Sequence, residues 1–236
     1  MSGLALDSRR VSAGTLFFAL PGEKEDGGDF IAEAMARGAV CAVCEQPPEG
    51  EGPYILVPDA HKALALCAAV WYGTPAGKMT LVGVTGTNGK TTTTYLIKQL
   101  LEKTLCVKVG LIGTNQNLIG DKVVPTDRTT PEALTVQRLL AQMADAGCAY
   151  AVMEVSSHAL MQSRVAGIHF RVGVFTNLTQ DHLDYHGTME AYCDAKARLF
   201  DQCGIACVNG DDPWTRRLLA RFAGEKVTFG QGMTND

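Results

Sequence analysis

The stretch MTLVGVTGTNGKTT, residues 79–92, decides the fold expected for this chain. Its first half is an unbroken apolar run of the kind found in a buried strand, and its second half is a glycine-containing turn. The residues that follow, 90–103, place apolar side chains such as Leu96 and Leu100 at helical spacing. Strand, turn and helix in this order form the first half of a βαβ unit, which predicts a parallel sheet with right-handed crossovers.

The turn itself predicts a phosphate-binding loop. Between a strand and a helix it would gather backbone N–H groups, a helix N-terminus and the Lys90 side chain around one anion. The general pattern G-x-x-x-x-G-K-[ST] would place its first glycine at residue 84, which is Val here, so the loop is a variant. We expect Lys90 to contact the β- and γ-phosphates of a nucleotide and the Thr91 hydroxyl to bind Mg²⁺; the alternative is a structural turn with a solvated lysine. The residues of this loop are Gly86, Thr87, Asn88, Gly89, Lys90, Thr91 and Thr92.

Strand and helix patterns alternate on both sides of this loop. They predict strands at residues 39–44, 54–57, 105–112, 149–155, 172–176, 205–208 and 226–229, and helices at 29–38, 60–72, 131–146, 188–202 and 213–223. This order predicts an α/β protein with a doubly wound, mainly parallel sheet. A cluster of helix breakers at 73–77 predicts a boundary between a small α/β domain, residues 1–76, and a phosphate-binding domain, residues 77–236.

Composition excludes several classes of protein. The 236-residue chain has a net charge of −4, without the excess of basic residues that nucleic-acid or membrane-surface binding usually needs. Its longest apolar run, residues 63–72, is too short to span a membrane, and its N-terminus lacks the apolar core of a signal peptide. Most of the cysteines lie within apolar runs, where cysteine acts as a small buried side chain. We therefore expect a cytoplasmic protein with no nucleic-acid or membrane partner.

Two further segments place chemical groups next to predicted strands. Glu154 ends a strand at the carboxyl edge of the sheet, where ligands bind, which predicts a metal ligand; the alternative is a cap on the turn that follows. The segment 176–187 contains His182 and His186 four residues apart, but Leu183 stands where a zinc protease has Glu. The segment therefore has two possible interpretations: a metal site, or a polar loop that packs against the sheet.

Four motifs together resemble those of the Mur ligases, the amide ligases of peptidoglycan synthesis. They are GVTGTNGKTTT from residue 83, MEVSSHALMQSRV from 153, TNLTQDHLDYHG from 176 and AYCDAKARLF from 191, and LDSRRVSAGTLFFALPGEKEDGGDFIAEAMARGA from residue 6 resembles the family's UDP-binding domain. The resemblance covers essentially the whole chain. It implies that ATP phosphorylates the D-Glu side-chain carboxylate of UDP-MurNAc-L-Ala-D-Glu and that a diamino acid, L-lysine or meso-diaminopimelate, attacks the acyl phosphate.

The resemblance also implies roles for residues at matching positions. The loop residues from Gly86 to Thr92 would bind ATP. Glu154 and His182 would bind Mg²⁺ with Thr91, and Lys196 would be an N-carbamylated lysine whose new carboxylate supports a second metal. From its own context, Lys196 is instead an ordinary solvated helix lysine. The catalytic residues would be Lys90, Lys196 and His182; the UDP-sugar would contact Leu6, Ser8, Glu23, Lys24 and Glu25; and the muramoyl dipeptide would contact Thr129, Thr130, Ser156, Gln162 and Arg164.

Two departures from the family pattern bear on activity. The family's opening segment before Leu6 is almost absent, and the sequence ends at Asp236, short of the end expected for the central domain and of the whole third domain, which would select the amine. We therefore expect these residues alone to form no amide product. The full-length enzyme is expected to be a monomer.

The alternative functions are another Mur ligase, a folylpolyglutamate synthetase, which shares the loop but lacks the UDP-binding domain, or a non-catalytic nucleotide-binding module. A GTPase-like switch would carry a guanine-reading Asn-Lys-x-Asp motif, which the sequence lacks.

Overall fold

The computed structural model describes residues 1–22, 25–49 and 52–232. The chain forms two compact units, Met1–Ala68 and Ala69–Asp236. This division falls within the second helix, a few residues before the breaker cluster at 73–77.

The first unit is built on a four-stranded parallel sheet with the order β1-β2-β3-β4. Its core joins Phe17 and Ala42 of the sheet to Ile31 and Ala34 of the first helix. Because β1 and β2 are parallel neighbours, the residues that follow their carboxyl ends lie at the same edge of this sheet. The elements are β1 Gly3–Ala5, β2 Thr15–Phe18, α1 Ile31–Ala36, β3 Ala39–Cys44, β4 Tyr54–Leu56 and α2 Ala60–Trp71, which continues into the second unit.

The second unit contains an eight-stranded sheet with the order β12-β11-β10-β5-β9-β6-β7-β8. Its strands are β5 Thr80–Thr85, β6 Val109–Ile112, β7 Asn117–Ile119, β8 Lys122–Val124, β9 Tyr150–Glu154, β10 Phe170–Phe175, β11 Cys203–Asn209 and β12 Glu225–Phe229. Its helices are α3 Lys90–Leu105, α4 Ala133–Asp145, α5 Ser157–Met161, α6 Leu183–His186, α7 Met189–Ala197 and α8 Thr215–Leu218. All pairings are parallel except those of β7. The predicted α/β class with mainly parallel sheets is confirmed.

Strand β5 lies inside this sheet, between β10 and β9, and both of its faces are covered. Leu81 packs on one side in a cluster with Leu139 of α4, whereas Val82 and Val84 face the other side, where Ile97 of α3 packs. The strands of the sheet are laid out to both sides of β5, with β9 on one side and β10 on the other. In open α/β sheets such a switch point is where ligands bind, at the carboxyl ends of the strands.

The structure departs from the predicted elements in several places. A β-hairpin, β7 and β8, replaces a predicted loop; its two-residue connection contains Gly120 at a φ of +61°, a backbone conformation typical of tight hairpins. The helix predicted at 213–223 is limited to Thr215–Leu218, and the helix predicted at 188–202 ends at Ala197 before a 3-10 turn. Within the described residues we find no helix with the length and apolar character needed to cross a bilayer.

Candidate nucleotide and metal site

The loop between β5 and α3 turns tightly around two glycines. Gly86 has a φ of +143° and Gly89 a φ of +82°, both in the region that favours glycine. A Cβ atom at Gly86 would lie 1.9 Å from the Thr176 hydroxyl oxygen, so this position has no room for a side chain. Gly89 directly precedes α3, and the N–H groups of the helix's first turn therefore face the space beyond its N-terminus. This is the geometry of an anion-binding loop.

A second segment, which follows β10, holds this loop in place. The Thr87 N–H donates to the Asn177 carbonyl oxygen at 2.8 Å, and the Asn88 N–H donates to Asn177 Oδ1 at 3.0 Å. In return, the Thr176 hydroxyl donates to the Asn88 carbonyl at 2.7 Å, and the Thr179 N–H donates to Thr87 Oγ1 at 3.0 Å. Thr176, Asn177 and Thr179 were not predicted from the sequence to belong to the site. Their place directly after a strand parallel to β5 was the available signal, because both strands end at the same edge.

Two lysines converge on the loop. Lys90 Nζ and Lys196 Nζ each donate to the Gly86 carbonyl oxygen at 2.9 Å, and Lys90 also donates to the Thr87 carbonyl at 2.9 Å. Lys196 is only 1 % exposed, and its Nζ lies 4.3 Å from the centre of the Tyr192 ring. Burial lowers the pKa of both amines, and the nearby charge of Lys90 helps to hold the pKa of Lys196 well below its ordinary value. The expectation of a solvated Lys196, drawn from its own sequence context, is wrong.

Glu154 ends β9 as a fully buried carboxylate facing the loop. The Thr91 hydroxyl donates to Glu154 Oε2 at 3.0 Å, and the Thr114 N–H donates to Glu154 Oε1 at 2.9 Å. The cap of the following helix α5 is a different residue: Ser156 Oγ accepts the Ala159 N–H at 3.2 Å. A carboxylate and a hydroxyl are the hard oxygen ligands that Mg²⁺ takes in proteins, so Glu154 and Thr91 fit a magnesium ion.

The segment after Thr179 places a group of aromatic side chains beside Lys196. The His182 ring lies 6.2 Å from the Tyr192 ring and 5.0 Å from the His158 ring, and its Nε2 is 3.5 Å from Asp181 Oδ2. His186 stacks on Tyr192 at 4.8 Å and places its Nε2 2.9 Å from Ser157 Oγ. Tyr192 Oη is in turn 3.3 Å from Thr87 Oγ1. His182 and Lys196 are thus brought to the same ring, which contacts the phosphate loop.

The five residues that the resemblance assigns to the dipeptide form one hydrogen-bonded group. Arg164 donates to the Thr130 carbonyl at 2.8 Å and to Gln162 Oε1 at 2.5 Å. The Ser156 N–H donates to Thr130 Oγ1 at 3.0 Å. Thr129 Oγ1 is linked to the group through the Thr114 hydroxyl and through Glu154, whose carbonyl accepts from Thr130 Oγ1.

Arg164 is almost fully buried in this group. Its Nε atom has no hydrogen-bond partner among the described residues, and an unpaired buried donor of this kind calls for a ligand or a water. Glu132 forms an ion pair with Arg164, in which Oε1 lies 3.0 Å from Nη2, and a second ion pair with Arg128. Its carboxylate therefore bridges the two guanidinium groups.

Three of the residues assigned to the UDP-sugar can be located in the first unit. Leu6 directly follows β1, and Ser8 begins the 3-10 turn that comes next. Ser8 is buried, and its hydroxyl donates to Glu33 Oε2 at 2.8 Å. Glu25 is exposed in the segment after β2. The other two, Glu23 and Lys24, lie outside the described residues.

Comparison with known proteins gives matches over nearly the whole chain. Residues 84–236 match the Mur ligase middle domain, and residues 1–72 match the Mur ligase family, catalytic domain. The UDP-N-acetylmuramoyl-L-alanyl-D-glutamate–2,6-diaminopimelate ligase of Geobacillus kaustophilus is 49% identical over 99% of this chain and 49% of its own length. The chain therefore spans about half the length of the curated relatives it matches.

Solved structures agree with these matches. A ligase structure of the same description has a TM-score of 0.84 at 32% identity, covering 99% of this chain and 49% of that one. The MurF ligase of Thermotoga maritima, solved in complex with ADP, has a TM-score of 0.62 at 26% identity, covering 97% of this chain and 50% of that one.

Proposed function

The chain belongs to the Mur ligase family, and on that premise we propose that it carries the nucleotide and UDP-sugar dipeptide sites of an ATP-dependent amide ligase. The observation that supports this most directly is the buried Glu154 carboxylate hydrogen-bonded to Thr91, next to a glycine loop on which Lys90 converges. The names of the relatives favour 2,6-diaminopimelate as the amine that is added. The reaction consumes ATP, and we place it in the cytoplasm.

The first chemical step is phosphoryl transfer. An oxygen of the D-Glu side-chain carboxylate attacks the γ-phosphorus of ATP, and the bond from that phosphorus to the bridging oxygen of ADP breaks. The N–H groups at the start of α3 and the ammonium group of Lys90 would bind the phosphate oxygens. Because the charge in such a transition state is spread over those oxygens, fixed donors and cations around them supply most of the catalysis.

The second step is amide formation. The amine nitrogen attacks the acyl carbon, phosphate leaves, and the nitrogen loses a proton. Arg164, with its unpaired Nε, and its neighbours Thr130 and Ser156 would hold the peptide part of the substrate so that its carboxylate faces the loop. Such positioning removes most of the entropic cost of bringing the reactants together.

Metal ligands for this reaction would come from Thr91, Glu154, His182 and Lys196, the last as its carbamate. Mg²⁺ held there would neutralise charge on the transferring phosphoryl group. Lys196 fits the modification because carbamate formation needs an uncharged amine, and burial beside a second cation favours that form.

The test of this assignment is the affinity of the purified 236-residue chain for ATP with Mg²⁺, measured by calorimetry. Lys90→Ala removes a charge aimed at the phosphates, and a charge-assisted contact of this kind is worth about 1.5–3 kcal/mol, so we expect affinity to fall roughly 10- to 150-fold. Lys103→Ala is the matched control, because Lys103 is an exposed lysine on the same helix. Retention of affinity within about twofold in Lys90→Ala would contradict the phosphate-loop assignment.

Ligand preference separates the remaining alternatives. We expect ATP to bind in preference to GTP, and UDP-MurNAc-L-Ala-D-Glu in preference to a folate. The match of residues 1–72 to the Mur ligase family argues against a folylpolyglutamate synthetase. Tight folate binding with no response to the UDP-sugar would reverse that choice.

A further inference from the structure

A cleft of about 440 Å³ lies in the second unit, at the opposite end of β5 from the phosphate loop. Its wall contains the turn at residues 74–77, Met79 and Thr80 at the start of β5, and the segment that leads into β10. Thr80 and Thr85 are the two ends of β5, and a strand rises about 3.3 Å per residue, which puts the cleft roughly 16 Å from the loop. It is therefore separate from the site of amide formation proposed above.

The wall of this cleft includes a buried glutamine with no partner. Gln137 of α4 is 1 % exposed, and neither its Nε2 nor its Oε1 has a hydrogen-bond partner among the described residues. A buried amide that forms no hydrogen bonds is costly, since it has given up its bonds to water without replacement. Gln137 thus offers an unused donor and an unused acceptor at the cleft.

The rim of the cleft carries the guanidinium group of Arg171. His169 and Arg171 both line it and are exposed to solvent. Of the described residues that line it, none is acidic. An anionic group is therefore favoured at the rim, where a guanidinium can bind a carboxylate or phosphate through two parallel hydrogen bonds.

We propose that this cleft binds a small molecule that carries an amide-type donor and acceptor together with a carboxylate or phosphate. The amide edge of the ligand would pair with Nε2 and Oε1 of Gln137, and the anion would bind Arg171. The donor and acceptor supply specificity, because a ligand without them leaves the glutamine unpaired.

N-acetylglycine, which has one amide and one carboxylate, is the probe, titrated into ¹⁵N-labelled protein while the side-chain amide signals are followed by NMR. We expect the Gln137 NH₂ pair, identified by its loss in Gln137→Leu, to shift with a Kd of about 1 mM. Gln137→Leu and Arg171→Gln should each weaken binding about tenfold or more, as judged from backbone amide signals of the cleft. Gln137→Leu should unfold at the same temperature as the parent or higher, because it removes two unpaired polar atoms from the interior.

Matched probes and a matched variant make the result specific. Acetate lacks the amide and N-acetylglycinamide lacks the charge, so each should bind at least about fivefold more weakly. Gln99→Leu, which changes an exposed glutamine of α3, should bind N-acetylglycine as the parent does. Absence of any shift up to about 20 mM N-acetylglycine, equal binding of acetate, or unchanged affinity in Gln137→Leu would each overturn the proposal and leave ordered water as the only partner of Gln137.

Discussion

Lys196 combines burial with a lowered pKa, which makes it a candidate for reaction with CO₂. The uncharged amine attacks CO₂ and loses a proton, and a higher pH therefore favours the carbamate. We predict that protein equilibrated with ¹³C-bicarbonate at or above neutral pH gives a carbamate ¹³C resonance, and that this resonance weakens as the pH falls. Lys196→Met should abolish it, whereas Lys103→Met, at an exposed lysine, should leave it unchanged. A resonance that survives in Lys196→Met would assign the modification to another amine.

His186 gives the stability of the protein a defined dependence on pH. Burial, together with the positive charges of His158, Lys196 and His182, lowers the pKa of His186 to about 4. An unfolded histidine titrates near 6.5, so the unfolded state binds the extra proton first as the pH falls. The stability that the neutral imidazole provides is therefore complete above about pH 6.5 and is lost progressively between about pH 6.5 and pH 4.

Thermal unfolding measured across this pH range checks the prediction. The parent should lose stability between about pH 6.5 and 4, and His186→Gln, which keeps a polar group near Ser157, should lose less over the same interval. Parallel curves for parent and variant would show that His186 does not titrate in that window.

At the level of single residues, the sequence identifies which side chains belong to the candidate site better than it identifies the contacts and the burial of those side chains. Lys90, Thr91 and Glu154 were assigned from residue type and place in the pattern, and the structure brings Thr91 and Glu154 into contact. The burial of Lys196 depends on the phosphate loop, whose Gly86 is 110 positions away in the sequence, and a helical lysine carries no local mark of such a contact. The hydrogen bond from Thr114 to Glu154 escaped prediction for the same reason, since it joins residues forty positions apart.

Among the elements, the phosphate loop is the one whose conformation depends most on a single residue, Gly86. Gly86→Ala would put a methyl group 1.9 Å from Thr176 Oγ1 and impose a φ that L-residues rarely adopt. The backbone strain alone costs about 1–3 kcal/mol, so we expect the unfolding temperature to fall by several degrees and ATP affinity to fall with it. The loop would have to move away from the Thr176–Thr179 segment that holds it.

Gly77→Ala is the control for this change. A Cβ at Gly77 meets no atom within 4 Å, and Gly77 does not have a left-handed φ, so the variant should keep both stability and ATP affinity. If Gly86→Ala unfolds at the parent temperature and binds ATP as tightly, the close approach of the loop to Thr176 is not needed for function.

Helices and strands were predicted correctly where a regular pattern of apolar residues continues over many positions. The buried run of β5 and the amphipathic α3 and α4 were found from the sequence, because their side chains face packed layers on a regular repeat. The hairpin of β7 and β8 was missed because each strand has three residues, too few to display an alternation. The region of α8 contains apolar residues at helical spacing, yet only Leu218 of that helix is buried, and the helix is short.

On the scale of the whole molecule, the division into two units predicts how ligand binding affects stability. A ligand that binds only the folded form stabilises the unit that contains its site, by about 2.7 kcal/mol at a concentration one hundred times its Kd. We place ATP in the second unit, so calorimetry of the intact chain should resolve two transitions, of which ATP with Mg²⁺ raises one by roughly 5–10 °C.

Hydrogen exchange should identify that transition, with slower exchange in residues 85–94 and 176–180 and unchanged exchange in β1–β4. In Lys90→Ala, the same nucleotide concentration should raise that transition by less, because a 10- to 150-fold loss of affinity leaves only about 1.4 to 0.3 kcal/mol of stabilisation. If ATP raised both transitions together and slowed exchange in β1–β4 as much as in the loop, the two units would unfold as one cooperative body, and the separate placement of the ATP and UDP-sugar sites would lose this support.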